Sequence, residues 1–468
     1  MRIDNVRRLR PILYTAMLLL VTAVLASTQV AQSATLPLPT IEGPITGPGD
    51  MWPGLTGTTH PGEDPADYGY VTDEYFVSGN VSVGASNPSY TVRILVRYPQ
   101  VLQKFSGIVL AECMHSNGTS VEFSPMRLSI MVRGHVAVEI AAQASNVNTL
   151  KTFNPDRYQN ITIPAGSSVT SQIIGQVATL IKSDPAAVSV PSFFRHLILM
   201  GSSNTSQVLR TYQSQIHVQY RMPDGSAIFD GYFATSTLGN SQMMVVDVPT
   251  IQMPTQTEVT NQAAATGGIQ YRRPDSDDPG NRFRIYEVAG LSHINTRDSV
   301  QFEPNRCSLP MVTDHEFPWG AMAAVGLNHL VEWVDKGTVP PRAPYISTYL
   351  GADGKQHVEL DIYGNAVGGV RNTYVDVPIY QYGVPNWAPP EPTPPTCSSP
   401  SPCFLCSLAS WQVPLPDDTL KSLYKNRGQY ISQVEHSLMD FIRDGWYLPE
   451  YADVVRTDAQ AFKMLIKP

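Results

Sequence analysis

The window LILMGSSNTSQVLR (Leu197–Arg210) holds the side chain best suited to covalent chemistry. An apolar run ends at Gly201, Ser203 follows, and a helix-forming stretch begins at once. A serine on so sharp a strand-to-helix corner stands above a sheet at a helix N-terminus, where the peptide dipoles favour negative charge. The corner asks for small residues two positions before and two after, here Gly201 and Thr205. Ser202 and Ser206 are rival nucleophiles, and a Ser-rich helix cap is the other use of the window. A hydroxyl needs a base to take its proton. In a strand–turn–helix protein of this kind the chain order should be serine, acid, histidine. His293 fits, because in FRIYEVAGLSHINTRD an apolar strand, Gly290 and Ser292-His293 arrive in sequence. Glu258, a short loop beyond Met253 in VPTIQMPTQTEV, is the acid that would fix the imidazole tautomer and stabilise its cation. A satisfied loop histidine and a solvated loop carboxylate are the plain alternatives for these two. Asp230 and Asp247 each precede a strand, which puts them at the opposite end of a parallel sheet. His115 and His135 come before the serine. Two N–H donors should face a developing oxyanion. Asn204 is expected to give one and Met114, in the loop ECMHSNGT, the other, with His115 or Asn117 there as substrate contacts.

Buried strands must carry these groups. EYFVSG and YTVRILVRYP alternate and suit paired strands. SGIVLAEC (Ser106–Cys113), HVAVEIAAQ (His135–Gln143) and FFRHLILMG (Phe193–Gly201) are nearly continuous apolar runs, as in strands covered on both faces. Further strands are expected at Gly231–Thr235, Pro249–Met253 and Arg282–Val288. Apolar residues three and four apart predict helices at Ser171–Ser183 and Gly320–Gly337, the second closed by Gly337 and two prolines. Strands alternating with helices imply an α/β protein, its central sheet mainly parallel with helices on both faces. Helical periodicity returns at Asp417 and predicts a C-terminal α-rich layer. The expected division is a leader over 1–34, a core over 35–310 and a C-terminal extension over 311–468 packed on that core. Pocket walls are expected from the C-terminal layer, including Trp319, Trp333 and Trp387.

The chain has 468 residues, 42% apolar and 15% charged, which excludes a disordered chain and leaves room for a large core. Lys plus Arg is 32 against 40 Asp plus Glu, and the net charge of −8 argues against a nucleic-acid partner. Arg2, Arg7, Arg8 and Arg10 precede the apolar run Ile12–Ala26, the pattern of a secretory signal peptide. That run is shorter than the ~20 residues of a spanning helix. Cleavage after Ala26 or near Ser33 and Ala34 would leave no stable membrane anchor, in a secreted or periplasmic protein. The five cysteines, Cys113, Cys307, Cys397, Cys403 and Cys406, leave at least one unpaired within the chain. The last three suit a local disulfide better than zinc, for which a fourth ligand is missing. No metal or cofactor signature is present: no H-E-x-x-H, no G-x-x-x-x-G-K-[ST] and no G-x-G-x-x-G after a strand.

Several phrases carry a resemblance: AAQASNVNTLKTFNPDRYQNI (Ala141–Ile161), GSSNTSQVLRTY (Gly201–Tyr212), IFDGYF (Ile228–Phe233), EVAGLSH (Glu287–His293), EWVDKGTVPPRAP (Glu332–Pro344) and DIYGNAVGGVR (Asp361–Arg371). From about Gly69 to its end the chain resembles large, mostly bacterial α/β-hydrolase-domain proteins with an extended C-terminal region. The resemblance implies an α/β-hydrolase fold and serine hydrolysis, with the nucleophile on Ser203 and the histidine on His293. Of the two carboxylates common in that family's acid loop, the first position holds Gln256 here and the second Glu258. The family's corner usually reads Gly-x-Ser-Gln-Ser-Gly, from which Asn204, Thr205 and Ser206 depart. The expectation is an exported serine hydrolase, with no cofactor, acting on a small-molecule or polymeric carboxylic ester through an acyl-enzyme. A non-catalytic binding protein on the same fold, an amidase and a polyester depolymerase are the alternatives.

Overall fold

Nine strands share one sheet in the order β1-β2-β3-β5-β4-β6-β7-β8-β9. They are β1 (Thr40–Glu42), β2 (Tyr70–Asn80), β3 (Ser89–Pro99), β4 (Ile108–Cys113), β5 (Val136–Ile140), β6 (His196–Ser202), β7 (Gly231–Thr235), β8 (Thr250–Met253) and β9 (Phe283–Ile285). The computed structural model describes residues 34–55, 63–166, 168–294, 297, 317–384 and 406–462. Residues 1–33, and with them nearly all of the expected leader, lie outside this set, as do Cys307, Cys397, Cys403 and Trp387. Strands β1, β2, β3 and β5 pair antiparallel, and β5, β4, β6, β7, β8 and β9 pair parallel. The chain lays β4 and β5 to one side, then crosses to build β6 to β9 on the other. Strand order therefore reverses between β4 and β6, where loops at the carboxyl ends splay apart and leave a crevice.

Eight helices matter here: α1 (Phe123–Val132), α2 (Ala144–Phe153), α3 (Val169–Ser183), α4 (Asn204–Tyr212), α5 (Gln256–Ala264), α6 (Trp319–Lys336), α7 (Arg427–Arg443) and α8 (Ala452–Ala461). The apolar runs of β4, β5, β7 and β8 are buried throughout because helices cover both faces. On one face Ile173, Ile174 and Val177 of α3 and Leu209 and Tyr212 of α4 meet Val92, Ile94, Val109 and Leu199. On the other, Phe123 and Met126 of α1 and Met322 and Leu330 of α6 meet Leu110, Ile198, Phe233 and Ile251. That second core runs on without a break into Tyr430, Val434 and Leu438 of α7 and Val455 of α8, so the C-terminal layer and the sheet share one apolar cluster. Helix α6 crosses α1 closely: a Cβ on Gly320 would stand 1.9 Å from the Pro125 carbonyl oxygen.

Trp319 and Trp333, expected at a pocket wall, are packed in the interior. Both are buried in α6, where an amphipathic helix turns its widest apolar side chains to the sheet, and the Arg284 guanidinium lies 5.0 Å over Trp333. A cavity of about 370 Å³ does lie in the C-terminal layer, walled by Tyr374, Tyr380, Tyr382, Tyr430 and Phe462, with neither tryptophan among its lining residues. Cys406 is disulfide-bonded. Cys113 is a free, buried thiol that burial pushes up to about 12, which leaves it unreactive. Among the described residues no helix is long and apolar enough to cross a membrane, and no group of three His, Cys, Asp or Glu residues could hold a metal ion.

Candidate active site

One residue separates β6 from α4, and it is Ser203, with φ 55° and ψ −121°. An L-residue held there stores roughly 1–3 kcal/mol of strain, a cost that the surrounding structure must over-determine. Gly201 makes the turn possible, since a Cβ would come within 2.5 Å of the Thr205 carbonyl oxygen. Thr205 is tolerated because its side chain turns back onto the strand end. Its Oγ1 donates to the Ser202 carbonyl at 2.8 Å and accepts from the Ser202 amide at 2.9 Å. Ser206 donates to the Ser203 carbonyl at 2.6 Å, so that rival hydroxyl braces the corner.

Ser203 Oγ lies 2.9 Å from His293 Nε2, and His293 Nδ1 lies 2.5 Å from Glu258 Oε1. A carboxylate only accepts, so Nδ1 carries the proton and Nε2 is left as the acceptor toward the serine hydroxyl. Both side chains are sheltered, at 4% exposure for His293 and 3% for Glu258. Glu258 follows a short loop after Met253, as expected, and lies on a helix. It is the third residue of α5, behind Thr255 at the N-cap, and its Oε2 accepts from the Thr255 amide and from Thr255 Oγ1, both at 2.7 Å. The signal for this was present in the sequence as T-x-x-E, a capping box. The same helical turn holds the histidine loop. Gln256 donates its amide to the Leu291 carbonyl at 2.9 Å and accepts from the Gly290 amide at 2.7 Å, and Thr257 Oγ1 accepts from the His293 amide at 3.1 Å. Gln256 thus serves as a neutral brace where the resemblance leads one to expect a second carboxylate. Asp230 pairs with Lys182 at 2.8 Å and Asp247 with His217 at 2.7 Å, each just ahead of its strand and away from Ser203.

Asn204 opens α4, and the first N–H groups of a helix have no intrahelical acceptor. Met114 differs from expectation. The pairing of β4 with β5 runs one residue past Cys113, so the Met114 amide donates to the Ile140 carbonyl at 2.8 Å and is not open to an oxyanion. The His115 amide is likewise bonded, to Thr119 at 2.9 Å. Asn117 is used inside the loop, its Oδ1 accepting from Thr119 Oγ1 at 2.7 Å and its amide donating to His115 Nδ1 at 3.3 Å. Burial pulls the His115 imidazole below its usual range; the Asn117 contact opposes this and the charge of nearby His293 adds to it.

Beneath the corner lie two buried carboxyls. Glu112 on β4 accepts from the amides of Glu122 and Phe123, each at 3.0 Å, and Glu122 accepts from Thr235 Oγ1 at 2.7 Å. The Thr235 carbonyl in turn accepts from the Ser203 amide at 3.4 Å. Burial pushes Glu112 up to about 7, against the pull of those two amides. Burial also raises Glu122; the Thr235 hydroxyl opposes this and the charge of Glu112 adds to it. Both groups hold a proton in the folded chain that the unfolded chain releases above 4.5. Their contribution to stability is full below that value and is lost as pH rises through the folded values. The share of the melting temperature that these two carboxyls supply should therefore fall between about pH 5 and about pH 8, against the opposite trend of the buried His135 and His329, which burial pulls down to about 3 and about 4. Glu122→Gln keeps the acceptor for Thr235 and should flatten that fall by a few degrees. Melting curves of the two proteins that stay parallel across the range would refute this.

The strand order, the strained serine at the β6–α4 corner and the aligned imidazole and carboxylate beyond β8 and β9 are those of an α/β-hydrolase fold. The chain belongs to the alpha/beta hydrolase domain family, which matches residues 41–457. Among solved structures it is similar to the esterase Est22, with a TM-score of 0.28 and 8% identity over 41% of this chain and 66% of that one, just under two thirds of its length. It is similar also to a fungal esterase from Rhizomucor miehei, with a TM-score of 0.31 and 8% identity over 50% of this chain and 79% of that one. A third is the carboxylesterase Cest-2923 from Lactobacillus plantarum WCFS1, with a TM-score of 0.25 and 12% identity over 38% and 72%. None of the curated proteins compared with it matches.

Proposed function

We propose that the protein is an exported serine hydrolase that cleaves carboxylic esters. The observation that carries this reading is the line from Ser203 Oγ through His293 to Glu258, with steps of 2.9 and 2.5 Å. Ser203 Oγ bonds to the ester carbonyl carbon as His293 Nε2 takes its proton. The tetrahedral oxyanion faces the Asn204 amide at the start of α4, where charge is favoured. Collapse breaks the bond to the alkoxy oxygen, and His293 returns the proton to the departing alcohol. Water then gives a proton to His293 and attacks the acyl carbon, and the proton passes back to Ser203 Oγ as the carboxylic acid leaves. Glu258 holds the tautomer and balances the imidazolium. Export rests on the basic and apolar N-terminal stretch, and the substrate is a small-molecule or polymeric ester, with no nucleic acid involved.

A fluorophosphonate probe tests the proposal. The expected result is stoichiometric labelling of Ser203, located by peptide mass, together with turnover of short p-nitrophenyl esters. A folded protein that neither takes the probe nor releases nitrophenol is a binding protein on a hydrolase fold. A series of acyl chain lengths on the active enzyme then defines the pocket.

A further inference from the structure

Gln143 stands at the N-terminal boundary of α2, and its side chain reaches across to the corner at Ser203. Its Nε2 donates to the Met114 carbonyl at 2.8 Å, and its Oε1 accepts from Asn204 Nδ2 at 2.9 Å. A peptide carbonyl only accepts, so Met114 decides which end of the Gln143 amide is nitrogen. The oxygen must then face Asn204, and that fixes the Asn204 amide in turn. A second amide from the same turn supports the loop, Asn146 Nδ2 donating to the His115 carbonyl at 2.9 Å. With the Met114 and His115 amides bonded to Ile140 and Thr119, all four polar groups of these two residues' backbone are held. Gln143 thus joins this rigid loop to the residue that follows the nucleophile.

We propose that Gln143 is a positioning residue for the hydrolysis: through the Asn204 side chain and the Met114 carbonyl it sets the spacing between the oxyanion-facing start of α4 and the loop that walls the same crevice. The inference rests on the functional reading above. Positioning matters because a misplacement of about 1 Å can lower a rate by about 100-fold. The clamp is matched in length, a glutamine meeting an asparagine. Shortening Gln143 opens a gap on both sides, and lengthening residue 204 to glutamine closes the one between them.

The test uses the full chain. Gln143→Ala should lower kcat about 10-fold or more while KM stays within about twofold, the split expected of lost transition-state placement. Gln143→Glu keeps the shape but sets an oxygen against the Met114 carbonyl, and should match the alanine variant. Gln143→Asn with Asn204→Gln should recover part of the loss that Gln143→Asn alone incurs, the share carried by the contact with residue 204, which a merely structural role would not produce. Hydrogen exchange of the Met114–Thr119 amides gives a readout independent of turnover and should quicken in Gln143→Ala. Wild-type kcat in Gln143→Ala and Gln143→Glu overturns the clamp, as does unchanged exchange in that segment. A wild-type protein without turnover or probe labelling counts against the chemistry at Ser203 instead, and leaves the exchange result to decide the clamp.

Discussion

Ser203→Ala should hydrolyse a short p-nitrophenyl ester at least about 10⁴-fold more slowly than wild type and still fold. The rate falls because Oγ is both the attacking atom and the hydrogen-bond partner of His293 Nε2, at 2.9 Å. What remains is catalysis by the oxyanion donor and by binding alone. Stability responds differently. Alanine keeps the Cβ, so the strain at φ 55° and ψ −121° persists, and one hydrogen bond of about 1 kcal/mol is lost. Glycine adopts this backbone freely. Ser203→Gly should thus be as inactive as Ser203→Ala yet melt above it, by a difference of about 1–3 kcal/mol. A corner held under strain for chemistry predicts this order. Ser203→Ala with more than about a thousandth of wild-type turnover rejects the nucleophile, and Ser203→Gly melting below Ser203→Ala rejects the strain.

The parts of the fold legible in the sequence were those whose signal is local. Strands buried on both faces leave unbroken apolar runs, and β4, β5, β6 and β7 fall where such runs predict them; β7 coincides with its expected range. The corner was legible because a strand, a glycine, a serine and a helix follow one another directly. Helix α5 was not, since QTEVTNQAA has little apolar periodicity and its stability comes from the cap at Thr255 and from the histidine loop it carries. Glu258 was therefore placed by chain order, without the helix that carries it. Met114 failed for a reason no local window contains. Its amide is lost to Ile140 because β4 and β5 pair one residue further than the apolar run extends, and register between strands is set by the whole sheet. The contact of Gln143 with Asn204, 61 positions apart, is of the same kind. Whether Trp319 and Trp333 face a core or a pocket was not legible, because an aromatic residue at helical spacing reads alike in both, and both are buried in α6.

The double duty of Glu258 makes Glu258→Gln the sharper test of the relay. As a carboxylate its two oxygens accept from three donors: His293 Nδ1, the Thr255 amide and Thr255 Oγ1. Glutamine has one oxygen and must choose. Turned toward His293, it leaves its NH₂ group against the Thr255 amide, donor against donor, in a buried cap. Turned toward Thr255, it keeps the capping box and gives the NH₂ group to Nδ1. The cap offers two hydrogen bonds and the imidazole one, so the second arrangement is favoured by roughly 1 kcal/mol before the donor clash is added. His293 then accepts at Nδ1 and carries its proton on Nε2, facing Ser203 with no lone pair to take the hydroxyl proton. The expected outcome is a fall in kcat of about 10³- to 10⁴-fold, by the wrong tautomer rather than by loss of shape. The fold should survive, because the capping bonds do. Nitrogen NMR of the imidazole reads the tautomer directly and should place the proton on Nε2 in the variant and on Nδ1 in wild type. Retention of more than about a tenth of wild-type kcat with the Nε2 tautomer established would mean that His293 is not the base.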